Sequence, residues 1–294
     1  MGDSEYRNLP ADQGIIEALD AELEKSDPSQ RNRIVEKFFL AALSSIPWVG
    51  GVLSAAETYR TEEGSHRMNS LQTQWLREHQ KKIQLLGETL RMIVQRFENL
   101  GSEIDERIQS EEYLGLVRKA FRVWDQADTE QKRRMLANVV TNSASTRACS
   151  DDVIRLFLDW IELYNEVHFA VIREVFQNPA STRFDIWTGI YGEVPREDSS
   201  AADLYKFLIR DLSTGGVIRQ ERDVNAAGQY VRKRARYVRR GMASNVLESA
   251  FDDTKPYVLT AMGKEFVHYA LSEVVTRIES QADGVKPGDP SPNL

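Results

Sequence analysis

Residues 83–104 read IQLLGETLRMIVQRFENLGSEI. Ile83, Leu86, Leu90, Ile93, Phe97, Leu100 and Ile104 step alternately by three and four residues. That spacing keeps one apolar stripe on an α-helix through three heptads, with polar residues on the other faces. The pattern predicts a single long helix over 66–109. Gly87 and Gly101 weaken it by about 1 kcal/mol each relative to alanine. A stripe this long needs a partner. The commoner solution is a bundle with helices of the same chain. The alternative is a homo-oligomer that pairs two copies through the 83–104 heptad seam.

Downstream, the helical period continues. Residues 111–125 place Tyr113, Leu116, Val117, Ala120, Phe121 and Trp124 on one face. Residues 129–144 follow Asp128, with Gln131 three positions on as in a capping box. Met135, Leu136, Val139 and Val140 form the apolar face of that helix. Residues 151–177 read as one more helix, capped by Ser150 and Asp151, striped by Leu156, Trp160, Leu163, Val167, Val171 and Val175, and stopped by Pro179.

Upstream, residues 1–30 are polar and acidic, without the basic start and apolar run of a secretory signal. Within them, 11–25 reads as a short helix. From Phe38 to Ala56 the chain runs FFLAALSSIPWVGGVLSAA, 19 residues without a charge. As one helix it would nearly match a ~30 Å hydrocarbon core. Pro47, Gly50 and Gly51 break it into two halves. The resulting hairpin is either packed inside the helical domain or a tip that meets a membrane or a partner. Its candidate residues are Phe38, Phe39, Ile46, Pro47, Trp48, Val49, Gly50 and Gly51. If that tip is exposed, aspartate at positions 49 and 50 would stop its action and leave the fold intact.

After Pro179 the texture changes. A Gly-, Pro-, Asp- and Ser-rich loop (189–200) leads to a helix from Ser200 that ends before Gly215-Gly216. Residues 217–222 and 257–260 read as strands, and 261–278 as a last amphipathic helix. The expected fold is therefore mainly α. A helical bundle domain spans 31–177 and a winged-helix-like domain spans 178–279. The tail, 280–294, holds three prolines and is expected to be disordered.

The chain has 294 residues, 41% of them hydrophobic and 28% charged. Its mean hydropathy of −0.46 argues against a polytopic membrane protein. The net charge is −7, from 38 basic and 45 acidic residues, so an anionic partner must be met by a local patch. One such patch exists. Between 217 and 243, Arg219, Arg222, Arg232, Lys233, Arg234, Arg236, Arg239 and Arg240 face only Glu221 and Asp223, a local balance of +6. Tyr230 and Tyr237 are interleaved. On a wing, these side chains would suit nucleic-acid phosphates or anionic lipid. The competing reading is a solvated face that pairs with the protein's own acidic regions.

The single cysteine, Cys149, excludes an internal disulfide and a multi-cysteine metal site, and suits a reducing cytoplasm. No Gly-rich phosphate loop, G-x-G-x-x-G, His-Glu-x-x-His or Gly-x-Ser-x-Gly occurs, so no cofactor or metal is implied. One enzyme-like pair remains. Arg60 and His66 are separated by TEEGS, a spacing that resembles the pattern of all-helical HEPN ribonucleases, in which guanidinium and imidazole meet over a phosphate. Only those two residues match.

The segments LIRDLSTGGVIRQ (208–220), PYVLTAMGKEFVHYAL (256–271) and DTEQKRRMLANVVTNSAS (128–145) together resemble the layout of bacterial Abi-alpha proteins of abortive phage infection. The resemblance spans roughly 125–275 and supplies no catalytic residue. It implies a bacterial, cytoplasmic effector that arrests the infected cell. Membrane association when active is expected from the apolar 38–56 segment, which the resemblance does not reach. The leading expectation is thus a non-enzymatic effector with a winged-helix sensing domain. The alternatives are a nucleic-acid-binding regulator with a helical dimerisation domain, and a HEPN-like ribonuclease. Changing Arg234, Arg236 and Arg239 to Glu should erase nucleic-acid binding and flatten its salt dependence between about 50 and 200 mM. Unchanged binding would remove the regulator.

Overall fold

A computed structural model describes residues 30–49, 70–221 and 249–271. These residues are mainly helical. The helices are α1 (Gln30–Ser44), α2 (Ser70–Leu100), α3 (Asp105–Ile108), α4 (Glu111–Gln126), α5 (Glu130–Ser145), α6 (Asp151–Leu163), α7 (Glu166–Gln177), α8 (Arg183–Tyr191), α9 (Ser200–Thr214) and α10 (Ala261–Phe266). Two three-residue strands, β1 (Ile218–Gln220) and β2 (Tyr257–Leu259), complete the described elements. The expected helix at 11–25, the residues 50–56 and the tail 280–294 lie outside the described residues.

The chain divides into two compact units. Unit 1 takes the described residues up to Arg122 together with Ala137–Ala148; unit 2 takes Val123–Leu136 and Cys149–Leu271.

In unit 1 most of the heptad stripe is covered by the chain itself, with Ile83 and Leu100 half-buried. Leu86, Leu90, Ile93, Phe97 and Ile104 are buried. Phe38 of α1 is completely buried and sets its ring edge-on to Phe97 at 5.2 Å and to Phe121 at 6.2 Å. The helix is shorter than its pattern predicts. Gly101 has φ +71°, a left-handed conformation that ends α2, and a 3₁₀ turn over Gly101–Ile104 follows. In unit 2, Thr129, not Asp128, receives the Lys132 N–H at the start of α5. A threonine hydroxyl there satisfies a helix donor that would otherwise be orphaned.

The described half of the apolar segment belongs to this core. Phe38, Ala41, Ala42, Ile46 and Val49 are buried, Phe39 and Trp48 are half-buried, and Pro47 is exposed. Pro47 sits in the turn that follows α1, as its missing N–H requires. Lys82 lies 5.7 Å from the Trp48 ring centroid. Because Val49 is buried, aspartate there would remove core packing, so that substitution does not separate tip from fold. Gly50 and Gly51 lie outside the described residues. Among the described residues no helix is long and apolar enough to cross a membrane.

The second half of α5 is buried all round, Ala137 through Ala144, although four of those residues are polar. Partners offset the desolvation. Asn138 Oδ1 accepts from Arg96 Nη1 at 2.7 Å, and the Ser143 carbonyl accepts from Arg107 Nε at 3.3 Å. The Thr141 and Ser143 hydroxyls donate to the Ala137 and Val140 carbonyls. Tyr113 OH also donates to the Val140 carbonyl at 2.9 Å, and burial drives that phenol well above its ordinary range.

Unit 2 departs from the predicted single helix over 151–177. Tyr164 and Asn165 both take extended backbone and split it into α6 and α7. Leu163, placed on the apolar stripe by periodicity, is 69% exposed as a result. A further helix, α8, forms where no element was predicted. Thr182 caps it by accepting the Asp185 N–H, while the Asp185 carboxylate accepts the Thr182 N–H. β1 and β2 pair antiparallel with Ile218 opposite Leu259 and Gln220 opposite Tyr257. On its other side Tyr257 bridges Ser181. The last helix changes to π geometry over Val267–Leu271. Phe157, Trp160, Phe169, Phe266 and Tyr269 form the aromatic centre of the unit.

Phe38→Ala should lower unfolding stability by about 3–5 kcal/mol, because a fully buried ring leaves a cavity among aromatic neighbours. Leu40→Ala, on the exposed side of α1, should stay within about 0.5 kcal/mol. Chemical denaturation of the two variants checks both.

Candidate functional site

The described polar constellations of greatest chemical interest fall in unit 2. The first secures the base of the β1–β2 pair. Tyr257 is buried, and its hydroxyl accepts from Arg183 Nε at 3.1 Å, Arg183 Nη2 at 3.0 Å and Gln220 Nε2 at 3.2 Å. Arg183 Nη1 also donates to the Ser249 carbonyl, and the Arg183 carbonyl accepts from Tyr205 OH at 2.8 Å. Glu197 receives the Ser249 hydroxyl, the Ala250 N–H and the Lys206 ammonium. The Ser249 bond, followed by Ala250 and Lys206, holds the Glu197 carboxyl below its ordinary range. Phe251 then stacks on Tyr205 at 5.7 Å and meets Trp187 edge-on at 5.3 Å. The chain is thus pinned on both sides of 222–248.

The second constellation lies at the α6–α7 corner. His168 is buried; its Nδ1 accepts the Asn165 N–H at 3.2 Å and its Nε2 lies 3.3 Å from Asp211 Oδ2 on α9. Tyr164 stacks on the imidazole at 4.9 Å. Gly215 permits this, because a Cβ at that position would run into the Tyr164 hydroxyl. Burial, then the Asp211 charge, pushes the Tyr164 phenol up to about 12. Lys132 is buried nearby, donating to the Glu162 carbonyl at 3.4 Å and pairing with Asp128 at 3.4 Å. A general base needs one imidazole nitrogen within reach of a substrate proton. Here Nδ1 is occupied and Nε2 is buried against Asp211, so the arrangement suits structural clamping rather than proton transfer. Among the described residues no group of three or more His, Cys, Asp or Glu is placed to hold a metal ion.

The third feature is the outer face of α9. Its inner face buries Ala202, Tyr205, Leu208, Ile209 and Leu212. Its outer face leaves Leu204 at 50% and Phe207 at 45% exposed. Arg210 lies with its guanidinium 5.9 Å from the Phe207 ring centroid. Asp203 stands beside them, exposed.

No family model, curated protein or solved structure matches this chain.

Of the predicted anion-binding residues, Arg219 is described: it is exposed on β1, opposite Val258. Arg222, Arg232, Lys233, Arg234, Arg236, Arg239 and Arg240 lie outside the described residues, as do Arg60 and His66. Periodicity drew no attention to Leu204 and Phe207, yet the signal was present. Both fall off the stripe that the rest of α9 buries. The Asn165–His168 spacing likewise matches a helix-start box hidden inside an apparently continuous helical pattern.

Tyr257→Phe should leave Arg183 and Gln220 without their shared acceptor and cost about 1–3 kcal/mol. A lowered denaturation midpoint, with the secondary structure retained by circular dichroism, is the expected result.

Proposed function

We propose that this chain is a non-enzymatic binding effector whose unit 2 is a winged-helix-type module, and that α9 is the helix that meets a protein partner. The order α7, Ser181 bridge, α8, α9, β1, β2, α10 supports the module, with most of the basic stretch falling between β1 and β2 in the sequence. One observation carries the choice of partner. The outer face of α9 presents two half-exposed apolar side chains and an arginine whose guanidinium lies 5.9 Å over the ring of one of them, and the helix has two acidic and two basic residues. An aromatic ring with an arginine is the chemistry enriched at protein interface centres. A helix that reads bases would instead present polar and cationic side chains to the groove.

The buried state of Phe38, Ile46 and Val49 bears on the effector part of the proposal. Action through the apolar segment would require those side chains to leave the core of unit 1. The Abi-alpha resemblance, which spans roughly 125–275, does not reach that segment. A nucleic-acid partner is the second reading, favoured by the eight cations between 217 and 243.

Photo-crosslinking from position 207 in cells tests both readings, with position 177, also exposed, as control. A discrete protein adduct at 207, lost on Leu204→Asp, supports the proposal. A nuclease-sensitive adduct transfers the role to nucleic acid, and no adduct beyond the control overturns α9 as the docking helix.

A further inference from the structure

The α6–α7 corner uses a titratable side chain for a task usually given to one that cannot accept a proton at neutral pH. His168 occupies the third position of α7, and its Nδ1 takes the N–H of Asn165, the residue that precedes the helix. In a capping box this position is normally Glu or Gln, whose oxygen remains an acceptor near pH 7. Imidazole accepts at one nitrogen only while neutral; once protonated, both nitrogens are donors. A charged His168 would therefore set an N–H against the Asn165 N–H.

The groups around the ring pull in different directions. From α9, the Asp211 carboxylate at 3.3 Å favours the charged imidazole. From α5, Lys132 opposes it, although Asp128 and the Glu162 carbonyl hold that ammonium. Tyr164 stacks on one face, and Phe207 approaches edge-on at 6.4 Å. Burial is the strongest influence and holds His168 below the ordinary histidine range.

We propose that His168 is a pH-operated latch on the α6–α7 corner: protonation at Nδ1 breaks its bond with the Asn165 N–H, draws Nε2–H toward Asp211 and frees the start of α7. The latch is independent of what α9 binds.

The sign follows from linkage. The unfolded chain takes the proton more readily than the folded one, so stability rises with pH across the interval. The latch contribution is complete above the ordinary histidine value of about 6.5, and is lost as the pH falls from there through the lower folded value.

Amide hydrogen exchange on the full chain, expressed as protection factors at about pH 7.5 and about pH 5.5, tests the latch. In the parent protein the Asn165 amide should lose on the order of threefold or more of its protection on acidification. His168→Gln keeps an acceptor in the same place without a titrating nitrogen, and its Asn165 amide should lose no protection over that interval. An equal loss in the variant would overturn the latch. A second measurement does not depend on the variant folding. Nitrogen chemical shifts of the His168 ring in the parent protein should show an unprotonated Nδ1 at the higher pH, and its protonation should track the loss at Asn165. A ring that titrates while Asn165 stays protected, or protection unchanged across the interval, equally overturns the proposal.

Discussion

Tyr257 is the point on which unit 2 closes. Its backbone is bracketed, with Gln220 opposite it in β1 on one side and Ser181 on the other. Its hydroxyl gathers three donors from Arg183 and Gln220. A two-stranded ribbon of three residues each is marginal in water by itself. Here it persists because Tyr257 is buried and joined to the start of α8. The same logic fixes the entry to α10. Thr260 caps that helix at the Gly263 N–H and donates to the Gly216 carbonyl. Gly263 has no Cβ to strike the Val217 carbonyl, so the helix can approach the strand closely.

Unit 1 solves a different problem. Its apolar stripes would pack in several registers if the core were purely hydrophobic, since such contacts have no direction. The buried polar half of α5 adds direction. Arg96 must find Asn138, and Tyr113 must find the Val140 carbonyl, or buried groups lose their partners. Phe38 brings α1 into the same core, which turns the most membrane-like stretch of the sequence into ordinary packing over its described half.

Helix α9 links these structural constraints to the proposed role. Its inner face holds Tyr205 and Leu208 in the core, while Asp211 reaches the buried imidazole and Phe207 borders it. The exposed side chains are therefore carried by a helix whose position is strongly determined. A rigid platform loses little conformational entropy on binding. The corner at His168 is the one part of that platform proposed to respond to pH.

The mainly helical class was legible from periodicity alone. The stripe at Leu86, Leu90, Ile93 and Phe97 and the face of α4 at Tyr113, Val117 and Phe121 are buried as the spacing requires, because a helix covers one side with every third and fourth residue. Local chemistry also marked the strands and the helix from Ser200. Three things were settled only in three dimensions. Gly101 ends α2 because its backbone turns left-handed. Tyr164 and Asn165 split a pattern that looks continuous, because a period of 3.6 carries no information about a two-residue extended corner. Phe38 and Val49 are core residues because neighbours distant in sequence cover them. Apolar character says that a side chain will leave water; which surface receives it depends on where the rest of the chain has already folded.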